Sequence, residues 1–469
     1  MRADEAEVVV IGAGPAGMAA ALELAGRGVS VTVLDEHPAP GGQIYRNVDA
    51  VAQDWPDAGR LLGVDYLHGR GLTAALSAAS VDCRSGAVVW QVERDASVAY
   101  AKDGRAGVIR ARFVIAATGA LERPVPVRGW TLPGVMTAGA AQLALKTAGL
   151  VPAGRVVLAG SGPLLLLVAG QLAGAGAEIA AVLETTRVAD YLAAAPLLAR
   201  ALAAPEYLKK GLAMRARLRR AGVPVIAGIR DFAIDAKGSA RAVTYLSRGR
   251  RETVTADLVL LHMGVVPHTQ ITRQVGCTHD WHEAQRYWGP RTDAWGRTSI
   301  ESIFVAGDGA AIHGALAAEC SGRLSGLEIA HVLGRIGKEE RDVAAKPIRR
   351  RYARHVAPRP MLDALFRPAR EIIAPADDEV VACRCEEVAV GTIRQAVALG
   401  CLGPNQVKSY TRTGMGPCQG RMCGLTIAEV IAAERGVAVP DVGHLRIRPP
   451  IKPLTIGELA AFDEAGGVS

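Results

Sequence analysis

One glycine-rich turn near the start of the chain constrains the fold more than any other feature of the sequence. The mostly β-branched run Glu7–Ile11 is followed at once by GAGPAG, which contains Gly12, Gly14 and Gly17. In a turn of this kind the first glycine permits a sharp bend, the second lets the backbone approach a pyrophosphate, and the third lets a helix pack closely on the strand. The sequence therefore predicts a dinucleotide-binding strand–turn–helix unit; the alternative is a glycine-rich turn without a ligand.

The residues after the turn fit the same plan. Helical composition runs from Pro15 to Arg27, so the helix N-terminus, with Pro15 and Ala16 in its first turn, is expected to face the bound anion. Asp35 closes the next strand, and its carboxylate is predicted to take both ribose hydroxyls, which favours FAD or NAD over NADP. Glu36 and the following loop, through Gly42 and Gln43, are predicted to lie at the same ribose.

Two later strand ends are predicted to complete one cofactor site. VIAATG ends in Thr118 and Gly119, and FVAGDGA contains Gly307 and Asp308. Both segments are strand-to-loop transitions of the kind that line a flavin. Two ordinary strand ends are the alternative interpretation.

A second unit of similar plan begins at Arg155. Its turn contains Gly160 and Gly162, but Leu165 stands where a third glycine is expected, and Glu184 ends the next strand. A leucine there crowds the contact between helix and strand. Three interpretations stay open for Gly160, Gly162 and Glu184: binding of NAD(P)H, binding of another nucleotide, or a purely structural unit.

Cysteines cluster near the end of the chain. Five of the eight lie between residues 383 and 423, in CRC (Cys383 and Cys385) and in CQGRMC (Cys418 and Cys423), with Cys401 between them. Four thiolates from two loops can enclose a 2Fe–2S cluster or a zinc ion. The CxC spacing and a flavin elsewhere in the chain favour 2Fe–2S, with Cys401 a bystander; zinc and unligated thiols are the alternatives.

Composition limits the classes of protein that fit. The chain has 469 residues, of which 50% are hydrophobic and 21% charged, so it can bury several cores. Aromatic residues are only 4%, which suits stacking platforms for nucleic acid poorly, and no nucleic-acid partner is expected. We predict an α/β protein with a discontinuous FAD domain (1–120 and 263–340), a second nucleotide domain (150–262), a linker (341–378), a 2Fe–2S domain (379–440) and a tail (441–469).

The start of the chain and its longest apolar segment bear on location. MRADEAEVVV places acidic residues before a short apolar run, unlike a secretory signal, and predicts a cytoplasmic protein. Residues 163–183 contain a glutamine, a glutamate and several glycines, so a buried helix is favoured over a membrane span.

Longer motifs carry a family resemblance over nearly the whole chain. CRCEEV, VKSYTRTGMGPCQGRMCG and GALERPVPVRGWTLPGV are similar to segments of the FAD-containing A or α subunits of heteromeric opine oxidases. Relatives of these proteins are the dye-linked proline and hydroxyproline dehydrogenase α subunits and a subunit of hydrogen cyanide synthase. The cysteine module resembles bacterioferritin-associated ferredoxin, which usually ends in CxxC, whereas here the last pair is Cys418-x4-Cys423.

The resemblance implies a fold, cofactors and a partner. The fold would be that of a Rossmann-like flavoprotein of the glutathione or thioredoxin reductase type with two dinucleotide domains, followed by a small helical iron–sulfur domain. Asp308 would hold the ribityl chain of FAD, and Thr118 and Gly119 would line the crossover between the two domains. The implied partner is a flavoprotein subunit resembling D-amino-acid oxidase, which oxidises a C–N bond and passes electrons to this chain; a further flavin at the interface stays open.

No general base or nucleophile can be identified, so the catalytic residues and the terminal electron acceptor stay unassigned. Two other functions remain open: a self-sufficient NAD(P)H:acceptor flavin reductase, and a non-catalytic nucleotide-binding scaffold.

Overall fold

A computed structural model describes residues 4–464 of the chain. The first three residues of the predicted FAD domain and residues 465–469 of the predicted tail lie outside the described residues.

A five-stranded parallel sheet carries the first glycine turn. The order of its strands is Ile303–Val305, Phe113–Ala116, Val8–Ile11, Val31–Asp35 and Asp82–Ser85. The central strand Val8–Ile11 is fully buried, as expected for a strand covered on both faces of a parallel sheet. Because its neighbours extend the sheet in opposite directions, the glycine turn lies where the strand order reverses, which is the position at which such sheets bind ligands.

Helices cover this sheet and connect its strands. Pro15–Ala25 follows the glycine turn and packs along Ala315–Val332. The fit between these two helices is close, because a Cβ on Gly322 would lie 2.0 Å from the carbonyl oxygen of Ala16. Four further helices lie between the strands Val31–Asp35 and Asp82–Ser85: Val48–Asp54, Ala58–Leu62, Val64–Leu67 and Gly69–Ala78.

A second five-stranded parallel sheet contains the second glycine turn. The order of its strands is Val135–Thr137, Leu258–Met263, Arg155–Ser161, Glu178–Glu184 and Val225–Ala227. Helices of this region are Ala138–Ala148, Pro163–Gly174, Val188–Ala194, Leu198–Ala201 and Pro205–Arg220, with a 3-10 turn at Ala195–Leu197. The segment predicted to bury an apolar helix therefore forms one, Pro163–Gly174, which begins at its proline.

Smaller sheets complete the two nucleotide units. One has the order Asp4–Glu5, Arg105–Arg110, Ser97–Lys102 and Val88–Val92, and another is Arg230–Lys237, Ala240–Ser247 and Arg250–Ala256. Two-stranded ladders pair Ala120–Glu122 with Val265–Pro267, and His279–His282 with Tyr287–Pro290. The first of these ladders joins the two chain crossovers between the nucleotide units. The helix Gln270–Val275 and the 3-10 turn Gly307–Gly309 follow later in the chain.

The segment predicted as a linker is largely helical. It contains most of Lys338–Val356 and all of Arg359–Leu365 and Arg370–Ile373. Arg341 explains part of the difference, since it pairs with Glu328 at 2.6 Å and lies over the ring of Trp295. Basic residues that resemble a solvated linker in the sequence thus attach a helix to the first nucleotide unit.

The cysteine module is small and mostly helical. A short ladder of Val381–Cys383 with Val388–Ala389 precedes the helices Val390–Ala398, Pro404–Thr411, Gly424–Arg435 and Val439–Val442. The tail then ends in the helix Ile456–Glu464.

One hydrophobic core joins the module to the first sheet. Val9 and Ile11 of the central strand belong to the same cluster of buried side chains as Ile393 and Ile427 of the module. Burial of shared apolar area stabilises the contact between the two parts by about 25 cal/mol per Å². The module is therefore held against the sheet that carries the first glycine turn.

Candidate cofactor sites

The first glycine turn has the geometry that its sequence predicts. Gly12 has φ +105°, and a Cβ at this position would lie 2.5 Å from the carbonyl oxygen of Ala117. A Cβ on Gly17 would lie 1.8 Å from the carbonyl oxygen of Gly12, so only glycine allows the helix to approach the strand so closely. Gly14 precedes the first turn of the helix Pro15–Ala25, whose N-terminus faces a cavity.

That cavity has a volume of about 320 Å³. Two of the predicted cofactor residues, Gly17 and Gly307, lie behind its wall, and a Cβ on Gly307 would lie 2.8 Å from the Cβ of Ala16. The other predicted residues line it together: Gly12, Gly14, Pro15, Ala16, Asp35, Glu36, Gly42, Gln43, Thr118, Gly119 and Asp308. Residues from four separate parts of the sequence thus meet at one site.

The carboxylate of Asp35 holds the turn. Its Oδ2 accepts a hydrogen bond from the backbone N–H of Ala13 at 2.5 Å, and its Oδ1 accepts one from the backbone N–H of His37 at 2.8 Å. Asp35 is 6% exposed and lines the cavity. Its assignment to the ribose hydroxyls stays a prediction.

The neighbouring Glu36 is the more exposed acid at this end of the cavity. Its side chain is 42% exposed, and its Oε2 lies 2.5 Å from Nζ of Lys452. Burial opposes its ionisation, but the hydrogen bond and charge of Lys452 hold the pKa of Glu36 below its ordinary value. Lys452 also lines the cavity, and nothing in the sequence motifs pointed to it.

The loop with Gly42 and Gln43 covers the glycine turn. The backbone N–H of Gly41 donates to the carbonyl oxygen of Ala13 at 2.8 Å, and a Cβ on Gly42 would lie 2.9 Å from the Cα of Gly14. Lys146 fixes the loop from below, since its Nζ donates to the carbonyl oxygen of Ile44 at 3.0 Å. Burial lowers the pKa of Lys146 to about 8.

At the opposite end, the crossover segments meet. Thr118 Oγ1 donates to the carbonyl oxygen of His268 at 2.9 Å, and the backbone N–H of His268 donates to the carbonyl oxygen of Gly119 at 2.9 Å. Burial lowers the pKa of His268 to about 4, so its imidazole is neutral at physiological pH. His268 lines the cavity and directly follows the strand Val265–Pro267, and it was not identified from the sequence.

Asp308 holds a loop before a second helix. Its Oδ1 accepts hydrogen bonds from the backbone N–H groups of His313 at 2.8 Å and Gly314 at 2.9 Å. The helix that starts at Ala315 therefore also directs its N-terminus towards the cavity. Burial raises the pKa of the Asp308 carboxyl.

The second glycine turn is arranged differently. Gly160 has φ +138°, and a Cβ there would lie 1.7 Å from the carbonyl oxygen of His262. Gly162 precedes the helix Pro163–Gly174. The side chain of Glu184 is fully buried, and its two oxygens accept hydrogen bonds from Arg215 at 3.0 and 2.9 Å. The acid that would contact a ribose in this unit is thus paired within the chain.

The four predicted ligand cysteines lie beside one another. Cys383 ends its strand, Cys385 lies in the exposed turn after it, and Cys418 lies in the loop before Cys423, which is the residue preceding the helix Gly424–Arg435. The thiol of Cys423 lies close enough to those of Cys418 and Cys383 to act on both, and the thiols of Cys385 and Cys418 act on each other. The proximity of Cys423 lowers the pKa of the Cys418 thiol to about 5 and that of the Cys383 thiol to about 6.

Glycines allow the loop to approach these thiols. A Cβ on Gly416 would lie 2.3 Å from the Cβ of Cys385, and the backbone N–H of Gly414 points to Sγ of Cys383 at 3.5 Å. The thiols suit a soft metal centre by their chemistry. They form a row of neighbours, however, and between residues 4 and 464 no three His, Cys, Asp or Glu side chains are arranged as a ready metal site.

One helix N-terminus adjoins the cysteines. The helix after the CxC pair begins only at Val390, beyond a turn and a short strand, whereas Cys423 directly precedes the helix Gly424–Arg435. Cys401 is buried, at 4% exposure, and follows the end of the helix Val390–Ala398. A charge from the helix dipole therefore acts near Cys423 rather than near Cys383.

The cavity lies next to the loop between Cys418 and Cys423, which we call the cysteine loop. Gln270 Nε2 donates a hydrogen bond to the carbonyl oxygen of Gln419, between Cys418 and Cys423, at 2.9 Å. Gln270 is separated by one residue from His268, which lines the cavity, and the positive charge of Arg421 in the loop helps lower the pKa of that histidine. The two candidate sites are thus adjacent.

Two sequence families match this chain. A family described as pyridine nucleotide-disulphide oxidoreductase matches residues 6–332, and one described as sarcosine oxidase A3 domain matches residues 382–463. The first match spans both glycine turns, and the second spans the cysteine module.

Whole-length relatives are also found. The chain is 44% identical to the A-type subunit of opine oxidase from Agrobacterium tumefaciens over 97% of its own length and 91% of that protein. It is 33% identical to a hydrogen cyanide synthase subunit of Pseudomonas aeruginosa, covering 98% of each chain. With the alpha subunit of sarcosine oxidase from Rhizobium meliloti it shares 24% identity over 97% of this chain but only 42% of that longer protein.

Solved structures show the same fold. An L-proline dehydrogenase from P. horikoshii, 18% identical, superposes with a TM-score of 0.69 over 98% of this chain and 80% of that chain. A T. acidophilum thioredoxin reductase, 19% identical, gives 0.51 over 70% of this chain and 99% of its own. The predicted α/β fold with two dinucleotide units is confirmed. Among the helices of residues 4–464, none is both long and apolar enough to cross a membrane.

Proposed function

Because this chain belongs to the pyridine nucleotide-disulphide oxidoreductase family and, over its whole length, to the family of opine oxidase A-type subunits, we propose that it is the electron-transferring subunit of a heteromeric amine-oxidising complex. The observation that carries the proposal is the hydrogen bond between Gln270 and Gln419. It joins the helix Gln270–Val275, which lines the cofactor cavity through Ile271, to the loop between Cys418 and Cys423. Two redox sites in contact within one chain are what electron transfer requires.

FAD is the cofactor that we assign to the cavity. The glycine turn and two helix N-termini suit its pyrophosphate, and Asp308 is positioned for its ribityl chain with Oδ2 free of partners within the described residues. We assign the ribose to Asp35 and Glu36, which both line the cavity.

We assign a 2Fe–2S cluster to the four neighbouring cysteines of the module, which we call the cysteine row. Cys383, Cys385, Cys418 and Cys423 supply the thiolates, and Gly414 directs a backbone N–H at one sulfur. FAD would supply two-electron chemistry and the cluster one-electron chemistry. The residues of this chain bind these groups, exclude water from them and keep them near each other.

The amine is oxidised, on this proposal, by a partner flavoprotein subunit resembling D-amino-acid oxidase. Relatives named as subunits support a complex. We assign the oxidation of the C–N bond to the partner and not to this cavity, because Asp308 holds a loop and Glu36 is paired with Lys452. The cytoplasmic location and an interface flavin stay predictions.

The complex purified through a tag on this chain tests the proposal. The complex should oxidise an opine, a cyclic imino acid or an N-methylated glycine with an artificial dye as acceptor, whereas the isolated chain should not. With Cys418→Ser, the substrate should still bleach the partner flavin, but dye reduction should fall at least about tenfold. Cys401→Ser is the matched control and should leave dye reduction unchanged.

Turnover of any of these amines by the isolated chain would contradict the proposal. Full dye reduction by the Cys418→Ser complex would contradict the role of the cysteine row.

A further inference from the structure

The two glycine turns of this chain can be compared residue by residue. Gly12 and Gly160 both end the central strand of a parallel sheet. A Cβ on Gly12 would meet the carbonyl oxygen of Ala117 at 2.5 Å, and one on Gly160 would meet the carbonyl oxygen of His262 at 1.7 Å. Ala117 and His262 therefore occupy the same position, each at the end of the strand beside its glycine turn.

What differs is the space in front of the second glycine of each turn. This glycine lacks a side chain so that a pyrophosphate can approach it. At Gly14 the nearest atom to an added Cβ is the Cα of Gly42 at 3.8 Å, and the small Ala117 lines an open cavity. At Gly162 the imidazole of His262 fills this direction, with Nε2 at 3.4 Å and Cδ2 at 3.5 Å from the added Cβ.

The imidazole is fixed in this place. His262 is 2% exposed, and its Nδ1 lies 2.6 Å from Oε1 of Glu122. The other oxygen of Glu122 accepts a hydrogen bond from the backbone N–H of Gly139 at 2.9 Å, in the first turn of the helix Ala138–Ala148. Rotating the ring away would break its hydrogen bond with Oε1 of Glu122 in a buried site, which costs free energy.

Two further positions of this turn, that of the third glycine and that of the ribose acid, also differ from the first turn. Leu165 stands in place of the third glycine and is fully buried, so the helix cannot approach the strand as Pro15–Ala25 does. Glu184, at the ribose position, is bonded to Arg215. These two features weaken binding of a dinucleotide at this turn, whereas His262 occupies the space that its pyrophosphate needs.

We infer that His262, held by Glu122, closes the second glycine turn against NADH and NADPH. The second nucleotide unit then serves as a structural unit, and the electrons that reach this chain come from another source than a reduced nicotinamide. His262 is thus a specificity-determining residue, which separates this chain from a self-sufficient nicotinamide-dependent reductase.

Binding of NADH and NADPH to the FAD-saturated full chain tests the inference, because FAD keeps both nucleotides out of the first cavity. The nucleotide fluorescence should show no saturable binding by the wild type up to about 1 mM, the upper end of ordinary KM values. His262→Ala, which creates the residue found at the equivalent position of the first turn, should bind with a Kd at least about tenfold below this limit.

His262→Gln is the matched control, since its side chain keeps bulk in front of Gly162, and it should bind no better than the wild type. FAD content and the unfolding midpoint of each variant report whether it folds. Wild-type binding of NADH that Gly162→Val abolishes would overturn the inference. A folded His262→Ala protein that still fails to bind would also overturn it, since closure would then not depend on His262.

If His262→Ala does not fold, the wild type decides alone: saturable NADH binding overturns the inference, and its absence up to the same concentration supports it. The readout is nucleotide binding, so failure of the inference is distinguishable from failure of the proposed electron transfer, which is measured by dye reduction.

Discussion

Lys452 Nζ lies 2.5 Å from Oε2 of Glu36, an ion pair between residues 416 positions apart in the sequence. The preceding Ile451 is 2% exposed, and its backbone N–H donates to the carbonyl oxygen of Trp90 at 2.9 Å. Both tail residues line the cofactor cavity. The chain after the cysteine module therefore returns to form a wall of the site that the first glycine turn begins.

Lys452→Ala should accelerate FAD release. Removal of the ammonium group opens the cavity wall and leaves Glu36 without its partner. Since partly exposed ion pairs contribute up to about 1 kcal/mol, we expect release to be about fivefold faster with little change in the unfolding midpoint. The return of FAD fluorescence after dilution measures the rate. Lys210→Ala, which breaks the exposed pair with Asp65 at 2.6 Å, is the control and should leave the rate unchanged.

The sequence was sufficient to predict the glycine turn, but not the part of the cavity wall that Ile451 and Lys452 form. Gly12, Gly14 and Gly17 could be identified because each backbone constraint acts within a few residues. Asp35 was assigned to the ribose from its spacing, and only the structure shows that its oxygens accept hydrogen bonds from the backbone N–H groups of Ala13 and His37. The contact of Lys452 with Glu36 depends on how the tail packs, which no local pattern records.

Asp308→Asn should stabilise the FAD-free chain at neutral pH. Burial raises the pKa of this carboxyl, so the folded chain binds its proton more tightly than the unfolded chain does. The ionised form therefore costs stability above the ordinary pKa of about 3.9, and the cost disappears as the pH falls below that value. We expect a gain of about 1 kcal/mol at pH 7.5 and a smaller gain at pH 4.5, measured by urea unfolding.

The same variant should bind FAD more weakly, because an amide accepts hydrogen bonds less strongly than a carboxylate does. Equal stability of the two FAD-free proteins at both pH values would show that the buried charge costs nothing.

Arg286 and Glu429 should hold the cysteine module to the rest of the chain. Arg286 Nε lies 2.5 Å from Oε1 of Glu429, and Arg286 Nη2 lies 2.8 Å from Oε2. The side chains of Arg286 and Glu429 are 16% and 4% exposed. Removing one partner of such a buried pair typically costs 3–5 kcal/mol, so Arg286→Met should lower the free energy of unfolding by about 3 kcal/mol. Arg291→Met breaks an exposed pair with Asp280 and should leave the free energy of unfolding nearly unchanged.

A double variant, Arg286→Met with Glu429→Leu, should recover part of the loss, because no buried charge is then left without a partner. Recovery of none of it would indicate that packing of the arginine, not its charge, is what matters.

Gln270→Leu should loosen the cysteine loop. The variant loses the hydrogen bond to the carbonyl oxygen of Gln419, worth about 1 kcal/mol, so we expect a chelator to remove iron about fivefold faster, with FAD content unchanged. Gln274→Leu is the control on the same helix, because Gln274 bonds instead to the backbone of Val92 at 3.0 and 2.9 Å. If a chelator removed iron from both variants at the same rate, the hydrogen bond between Gln270 and Gln419 would not be what stabilises the cysteine loop.

The cysteine module shows a second limit of the sequence. Pairing of the CxC segment with CQGRMC could be predicted, and the four thiols do lie side by side. Which helix N-terminus adjoins them could not, because a turn and a strand separate Cys385 from Val390. The approach of His262 to Gly162 was equally hidden, since His262 lies on the strand beside the one that Gly162 follows, and that strand order emerges only on folding.

Reduction of the purified chain, followed by EPR and by flavin absorbance in one titration, tests the central claim most directly. The claim is that FAD and a 2Fe–2S cluster reside in this one chain. The wild type should contain iron and acid-labile sulfide, its flavin should bleach, and a cluster signal should develop. Serine at Cys383, Cys385, Cys418 or Cys423 should abolish or strongly alter the signal while the flavin still bleaches, and Cys401→Ser should change neither. Zinc in place of iron, or loss of the signal in Cys401→Ser with retention in Cys423→Ser, would contradict the claim.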